Sequence, residues 1–267
     1  MYASQMRSGT AGHLIVSVGG IDPGAGAGLG RDLLTVTALG ASVRMVGTAW
    51  TEQSPGGVRS VEARSSAALE DALRWALRPP APGGVKVGMV PGPDQAAAIL
   101  RALAGFAGPI VVDPVLAASS GGALWQGPLD GVLDLLRRAT LATPNAHEAA
   151  LLARRPVTSV ADAAAAATEL RRAGVTAVLI KGGHLGGDPD APGSVTDVLV
   201  TARGERRYPR PRVPGQSPRG TGCALSSAIA LELASGRALE DAIERAGDWL
   251  AHQIAHAVDV DGERRLP

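Results

Sequence analysis

A glycine-rich run near the end of the chain, Gly220-Thr221-Gly222-Cys223, carries the residue types that bind a phosphate group. It leads directly into the apolar, alanine-rich stretch 224–234, which we predict to be helical. The first N–H groups of a helix have no partner inside it, and they lie at the positive end of the helix dipole. N–H groups gathered at such a point bind anions, above all phosphate. The alternative interpretation is an ordinary glycine-rich loop that starts a helix.

Cys223 is the only cysteine of the chain and stands at the start of this predicted helix. A helix N-terminus lowers the pKa of a thiol, so we expect a thiolate that can accept a proton. A cysteine hydrolase is a weaker alternative, because no sequence feature places a histidine beside Cys223 as its base. A single cysteine also excludes an intramolecular disulfide and a zinc site built on cysteines, and it is typical of a reducing cytosol.

Four more polar side chains follow short apolar runs and could serve a nucleotide. Asp113 comes directly after the run 110–112 and is placed to bind phosphate or water held by Mg²⁺. Asn145 and Glu148 lie one helical turn apart, although a helix cap with a dipole-matched carboxylate would give the same pattern. Lys181, one of only two lysines, ends an apolar run before Gly-Gly and could approach phosphate as a point charge.

The glycine-rich segment 19–30 resembles no nucleotide-binding loop. No Gly-x-Gly-x-x-Gly register fits it, and neither lysine ends a P-loop sequence. We expect its glycines to let the backbone approach a small ligand closely, with a flexible loop as the alternative. Asp32 follows early in the next predicted helix, where a carboxylate also complements the dipole. The amide of Gln53 can donate and accept side by side, as an aminopyrimidine edge requires.

Short apolar strands alternate with helical patterns, which predicts a doubly wound α/β sandwich with a parallel sheet. Strands are expected at 14–18, 43–49, 85–89, 110–113, 141–143 and 177–181. Helices are expected at 29–39, 67–77, 94–104, 129–138, 146–152, 161–172, 223–234 and 239–258. The segments 195–200 and 207–213 are expected to form a β-hairpin. Ligands of open α/β sheets bind at the carboxyl ends of the strands, where the polar residues described above fall.

The bulk composition excludes several classes of partner. The 267 residues suit one domain, and 26 Lys and Arg against 25 Asp and Glu leave a net charge of +1. So small a charge creates no field that would recruit nucleic acid or an acidic membrane surface. No segment has the 18 uninterrupted apolar residues typical of a membrane span. We therefore expect a cytoplasmic protein.

Read in order, nine motifs resemble the hydroxymethylpyrimidine/phosphomethylpyrimidine kinases of thiamine biosynthesis, a branch of the ribokinase superfamily. The motifs are Gly20-x-Asp22-Pro23-x-x-Gly26-Ala27-Gly28, Asp32, Ala38-Leu39-Gly40, Thr48-Ala49-x-Thr51-x-Gln53, Lys86-x-Gly88-Met89, Val112-Asp113-Pro114-Val115, Thr143-Pro144-Asn145-x-x-Glu148-Ala149, Lys181-Gly182-Gly183-His184 and Gly220-Thr221-Gly222-Cys223-x-Leu225-Ser226. The resemblance implies one ribokinase-like domain over 1–267, with its core at about 14–258. This fold is a three-layer α/β sandwich with a mostly parallel central sheet and helices on both faces, commonly a homodimer.

The resemblance also implies an activity and roles for single residues. The activity is ATP- and Mg²⁺-dependent phosphorylation of 4-amino-5-hydroxymethyl-2-methylpyrimidine and then of its monophosphate. Gly20, Asp32, Gln53 and Met89 would line the pyrimidine pocket. The ATP phosphates and Mg²⁺ would be served by Asp113, Asn145, Glu148 and Lys181. The 220–223 amides would form the hole for the transferring phosphoryl group, with Cys223 in the place where related sugar kinases have an aspartate base.

Two positions and the tail depart from the family pattern. Ile21 and Arg219 stand where relatives usually have serine and histidine, and the chain closes with Asp-Gly-Glu-Arg-Arg before Leu266-Pro267 rather than a tail with glycine and histidine. We hypothesise that Arg219 binds the substrate monophosphate bidentately and favours the second phosphorylation. Pyridoxal kinase and a pyrimidine sensor without catalysis are the alternatives to the kinase.

Overall fold

A sheet of parallel and antiparallel strands positions the candidate residues at the carboxyl ends of its parallel strands. The computed structural model describes residues 9, 10, 12–54, 56–118, 121–186, 190, 192–215, 217–260 and 262–267. Within these ranges the sheet has nine strands: β1 (Leu14–Ile21), β2 (Ser42–Ser54), β3 (Gly57–Ala63), β4 (Gly84–Val87), β5 (Ile110–Val112), β6 (Leu141–Ala142), β7 (Val178–Ile180), β8 (Ser194–Thr201) and β9 (Gly204–Pro211).

The strand order is β3-β2-β1-β4-β5-β6-β7-β8-β9. Six neighbouring strands pair in parallel: β2, β1, β4, β5, β6 and β7. Antiparallel strands extend the sheet at its two ends, β3 beside β2 and the pair β8–β9 beside β7. Parallel strands must be linked by crossovers, and helices supply them here. All six strands predicted from apolar runs are confirmed with small differences in their ends, as is the β8–β9 hairpin.

Helices cover both faces of the sheet, which makes the three-layer α/β sandwich expected from the sequence. The helices are α1 (Gly28–Ala38), α2 (Ser66–Ala76), α3 (Pro93–Ala102), α4 (Asp130–Arg138), α5 (Ala146–Ala153), α6 (Val160–Arg172), α7 (Thr221–Ala234) and α8 (Leu239–Ala255). In one apolar core, the five helices from α2 to α6 pack against one face of the sheet. In a second core, α1, α7 and α8 pack against the other face. Successive strand residues alternate between these cores, Ile15 in one and Val16 in the other. Both faces of the strands are buried, which explains their continuous apolar runs.

Two hairpins were not predicted from the sequence. Strand β2 continues through Gln53 to Ser54 and turns back into β3, although residues 51–53 were expected to follow the strand as a loop. Strand β3 is mostly exposed and therefore lacks an apolar run. Helix α8 ends at Ala255, not at 258 as predicted, and β10 (Val258–Val260) pairs with β11 (Glu263–Arg265). No described helix combines the length and the apolar character that crossing a membrane requires.

Candidate active site

The start of α7 is packed closely against the glycine-rich loop between β1 and α1. Gly220 caps the helix with φ +76°, a backbone conformation that favours glycine, and a Cβ there would collide with the Gly26 carbonyl oxygen. The helical ladder begins with the Ala224 N–H bonded to the Gly220 carbonyl oxygen at 2.8 Å. The N–H groups of Thr221, Gly222 and Cys223 lie ahead of that ladder, as the sequence predicts for an anion hole.

Asp113 and Lys181 meet beside this helix start. Lys181 Nζ lies 2.5 Å from Asp113 Oδ1, and Thr143 Oγ1 donates to the same oxygen at 3.3 Å. A Cβ on Gly222 would stand 3.0 Å from Lys181 Nζ, so glycine lets the ammonium approach the helix. Burial opposes the charge of this lysine, but Asp113 and Glu148 outweigh it and raise the pKa of Lys181. A permanent cation therefore lies next to the predicted anion hole.

Asn145 and Glu148 form a reciprocal cap at the start of α5. Asn145 Oδ1 accepts from the Glu148 N–H at 2.9 Å, and Glu148 Oε2 accepts from the Asn145 N–H at 2.7 Å. The structural interpretation of this pair is therefore correct, and the Glu148 carboxylate also accepts from the backbone N–H of Leu116. Burial raises the pKa of Glu148 to about 7; Lys181 opposes this shift and the like charge of Asp113 adds to it.

The expectation that Asp32 lines the pyrimidine pocket is not supported, because its carboxylate lies beneath the site. Asp32 is 0 % exposed, and both of its oxygens accept from Lys86 Nζ at 2.8 and 2.9 Å. Hydroxyl groups of Ser17 and Ser227 also donate to it, at 2.5 and 2.8 Å. With four hydrogen bonds from three donor groups, this carboxylate is a buried link between β1, β4, α1 and α7.

Cys223 lies above this buried pair, and its predicted pKa shift has the wrong sign. The residue as a whole is partly exposed, yet burial of the thiol raises its pKa. The Lys86 ammonium opposes that rise, and the carboxylates of Asp32 and Asp113 add to it. The Gly28 N–H hydrogen bond to the sulfur favours the thiolate only weakly. Desolvation and the two carboxylates therefore outweigh the Lys86 ammonium, and the pKa of Cys223 lies above its ordinary value.

On the side of the β1–α1 loop, Gln53 is tied to Arg219. The Gln53 amide oxygen accepts from Arg219 Nη2 at 3.2 Å, and its Nε2 donates to Thr51 Oγ1 at 3.0 Å. The same guanidinium contacts Asp22 at 3.2 Å and Glu263 at 3.0 Å. Gln53 and Arg219 are thus brought together as expected, but Arg219 is already balanced by two carboxylates.

Gly20 and Met89 are brought together at the carboxyl ends of neighbouring strands. A Cβ on Gly20 would stand 3.0 Å from Met89 Sδ, so the thioether lies directly over the glycine. Thr48 Oγ1 donates to the Met89 carbonyl oxygen at 2.8 Å and holds that residue in place. Met89 packs with Ala49 and Leu124 in a small apolar cluster beneath the β2–β3 hairpin. Gly20 therefore faces the apolar Met89 side chain at this end of the sheet.

Sequence reasoning missed the roles of Asp22 and Glu263. Asp22 accepts from the Gly24 and Ala27 N–H groups, both at 3.0 Å, and so orders the glycine-rich loop. The run Asp22-Pro23-Gly24 is typical of a turn and was an available signal. Glu263 has no comparable signal, because it reaches the site only through the C-terminal hairpin β10–β11. Lys86 was noticed as one of two lysines, without a role.

Comparisons with known proteins identify the family of this chain. The sequence profile described as phosphomethylpyrimidine kinase matches residues 22–266. The chain is 37% identical over 258 residues to the hydroxymethylpyrimidine/phosphomethylpyrimidine kinase of Rhizobium meliloti, covering 95% of both chains. A crystal structure of phosphomethylpyrimidine kinase from Clostridium difficile has 29% identity and a TM-score of 0.77, over 90% of this chain and 98% of that one.

Pyridoxal kinase from Staphylococcus aureus, solved in complex with pyridoxal, has the same fold. Its TM-score is 0.83 at 25% identity, over 96% of this chain and 93% of that one. The fold is therefore shared with a neighbouring vitamin kinase, whereas the sequence profile and the relative of higher identity agree on one family. On these grounds the chain is a kinase and belongs to the phosphomethylpyrimidine kinase family.

Proposed function

We propose that the protein transfers the γ-phosphoryl group of ATP to 4-amino-5-hydroxymethyl-2-methylpyrimidine and then to its monophosphate, with Mg²⁺. The observation that carries this proposal is the meeting of Lys181, Asp113 and the α7 N-terminus around Gly222. Phosphoryl transfer asks a protein mainly for alignment and for stabilisation of charge on the phosphoryl oxygens. A fixed ammonium beside unpaired helix N–H groups supplies both.

Asp113 and Glu148 fit a Mg²⁺ ion that is shared with nucleotide phosphates. Both are buried carboxylates, and the like charge of Asp113 contributes to the raised pKa of Glu148, which a cation would relieve. Mg²⁺ in proteins commonly uses one or two carboxylates together with substrate phosphate and water. When bound, the ion would neutralise phosphate charge, while Lys181 and the 221–223 N–H groups hold the transferring group.

Cys223 would take the proton in the first transfer. The hydroxymethyl oxygen attacks the γ-phosphorus, and the bond from that phosphorus to the ADP oxygen breaks. The thiolate form of Cys223 accepts the hydroxyl proton. In the second transfer the attacking atom is an anionic phosphate oxygen, which needs no base. Because burial raises the pKa of Cys223, only a minor thiolate fraction serves the first transfer at neutral pH.

Gly20, Met89 and Gln53 would hold the pyrimidine. The ring would lie against the Met89 thioether over Gly20, and the Gln53 amide would pair with the exocyclic amino group and the adjacent ring nitrogen. Asp32 and Lys86 would act from below by keeping the start of α7 against β1 and β4. A sensor without catalysis would need none of the phosphate-binding groups around Lys181.

The test is ATP consumption with Mg²⁺ and with the pyrimidine alcohol, its monophosphate or pyridoxal as separate substrates. Turnover of either pyrimidine supports the proposal, whereas turnover of pyridoxal alone assigns the neighbouring activity. Pyrimidine binding without turnover would identify a sensor. Lys181→Ala is expected to abolish turnover. The matched control Arg137→Ala removes a cation that pairs with Asp134 at 2.7 Å on the surface, and it should leave turnover unchanged.

We further propose a cytoplasmic homodimer of one-domain chains. Helix α1 and strand β2 pack together and carry four exposed large apolar side chains: Leu33, Leu34, Met45 and Trp50. Such side chains on one region are typical of a surface that another copy covers. Light scattering is expected to give a dimer mass for the wild type and a monomer for Trp50→Ser. A wild-type monomer would refute the dimer, and cell fractionation tests the location.

A further inference from the structure

The C-terminal hairpin β10–β11 inserts one carboxylate into the pyrimidine side of the site. Glu263 is 8 % exposed; its Oε1 accepts from Arg219 Nη1 at 3.0 Å and its Oε2 from Arg265 Nε at 2.9 Å. Arg265 also donates to the Gly24 carbonyl oxygen at 3.2 Å, which fastens the hairpin to the glycine-rich loop. Burial opposes the charge of Glu263, but the two arginines outweigh it and lower the pKa of this carboxyl.

Arg219 is a neutralised cation and not a free anion-binding group. Its side chain is 13 % exposed and lies between Asp22 and Glu263, which are 1 % and 8 % exposed. A substrate phosphate would have to compete with the buried carboxylates of Asp22 and Glu263 for this guanidinium. The hypothesis that Arg219 favours the monophosphate therefore conflicts with its surroundings, and its third contact, to Gln53, becomes the important one.

That contact decides which way the Gln53 amide faces. A guanidinium only donates hydrogen bonds, so the atom that faces Arg219 Nη2 must be the amide oxygen. The amide nitrogen then donates to Thr51 Oγ1, and Thr51 donates onward to the Ile21 carbonyl oxygen at 2.9 Å. One lone pair of the oxygen and one N–H of the amide are left over. An aminopyrimidine edge presents the complementary acceptor and donor.

We propose that Glu263 is a positioning residue for pyrimidine recognition, which acts by holding Arg219 so that Arg219 fixes the orientation of the Gln53 amide. The inference rests on the proposed function. Glu263 is better suited to this test than Asp22, because Asp22 also orders the glycine-rich loop through the Gly24 and Ala27 N–H groups. Removal of the Glu263 charge leaves those bonds in place.

The experiment is a double-mutant cycle on binding of the pyrimidine alcohol, measured by calorimetry without ATP. Glu263→Gln is expected to weaken binding about tenfold, the usual worth of one charge-assisted hydrogen bond. Gln53→Ala should weaken it by at least as much. In the Gln53→Ala background, Glu263→Gln should have no further effect, because its route to the ligand is gone. In turnover, Glu263→Gln should raise KM about tenfold and leave kcat nearly unchanged.

Glu244→Gln is the matched control, since Glu244 pairs with Arg206 at 3.1 Å on the surface and should not alter binding. Arg219→Lys is the second variant: a single ammonium cannot reach three acceptors, so it should reproduce the loss. Wild-type protein that fails to bind the pyrimidine refutes the proposed function and, with it, this inference. Wild-type binding with Glu263→Gln unchanged, or with its loss added in full to that of Gln53→Ala, refutes the inference alone.

Discussion

Replacement of Lys86 by methionine tests whether the buried pair under Cys223 supports the fold. Lys86 is 1 % exposed, and its ammonium is bound to both oxygens of Asp32, which is 0 % exposed. Methionine retains most of the stem but leaves the carboxylate with only the Ser17 and Ser227 hydroxyl groups. Loss of one partner of a buried ion pair costs about 3–5 kcal/mol, because an uncompensated charge stays buried.

The expected loss is large on the scale of the whole protein. A loss of about 4 kcal/mol takes a large part of the roughly 5–15 kcal/mol that stabilises a typical domain. In a chain of this size it lowers Tm by about 10 °C, since each kcal/mol shifts Tm by about 2–4 °C. Urea unfolding followed by circular dichroism measures the free energy of unfolding, and calorimetry measures Tm.

Two further variants separate the charge effect from lost packing. Arg74→Met removes an exposed cation that lies 2.7 Å from Glu70, and it should cost less than about 1 kcal/mol. Asp32→Asn added to Lys86→Met removes the orphaned charge and should recover at least about 2 kcal/mol. A loss below about 1 kcal/mol for Lys86→Met, or a deeper loss in the double variant, would refute the reasoning.

Three other substitutions test the site. Cys223→Ala should slow the first phosphorylation about 10²–10⁴-fold and the second far less. In the wild type, kcat for the first step should still rise above pH 8, because burial raises the pKa of the thiol. Equal losses in the two single-substrate assays would mean that Cys223 only shapes the pocket. For Glu148, whose pKa of about 7 lies above its ordinary value, the folded state keeps its proton longer than the unfolded state as pH rises, so stability falls between about pH 4.5 and 7. Urea unfolding at pH 5 and pH 8 should show that the wild type loses about 3 kcal/mol more stability over this range than Glu148→Gln, which retains the cap. The same loss in both proteins would contradict the raised pKa of Glu148. Gly220→Ala should destabilise the protein by more than about 1 kcal/mol and reduce kcat, since φ is +76° and the Gly26 carbonyl oxygen blocks a Cβ. Gly236→Ala is the control for backbone strain alone, because Gly236 has φ +85° and no atom lies near the position of its Cβ.

The helices and the parallel strands could be predicted because each signal is local. The apolar run 14–18 is buried on both faces, and the capping pair of Asn145 and Glu148 lies within one turn. The exposed strand β3 and the C-terminal hairpin have no such run, and both were missed. The expected role of Asp32 and the expected thiolate of Cys223 did not agree with the structure. Both residues stand near a helix start, but side chains from other elements set their surroundings: Lys86 binds Asp32, and burial with Asp32 and Asp113 raises the pKa of Cys223.

The sequence by itself determined the fold class, the family and the edge of the sheet where the candidate site lies. Those features depend on the periodicity of apolar residues and on motifs of a few residues, and both can be recognised within a short segment of the chain. Only the tertiary structure decided which charges meet. Lys86 reaches Asp32 across 54 positions and Arg219 reaches Glu263 across 44. Pairing, burial and pKa depend on distances of a few ångströms between segments remote in the chain, and no local pattern encodes those distances.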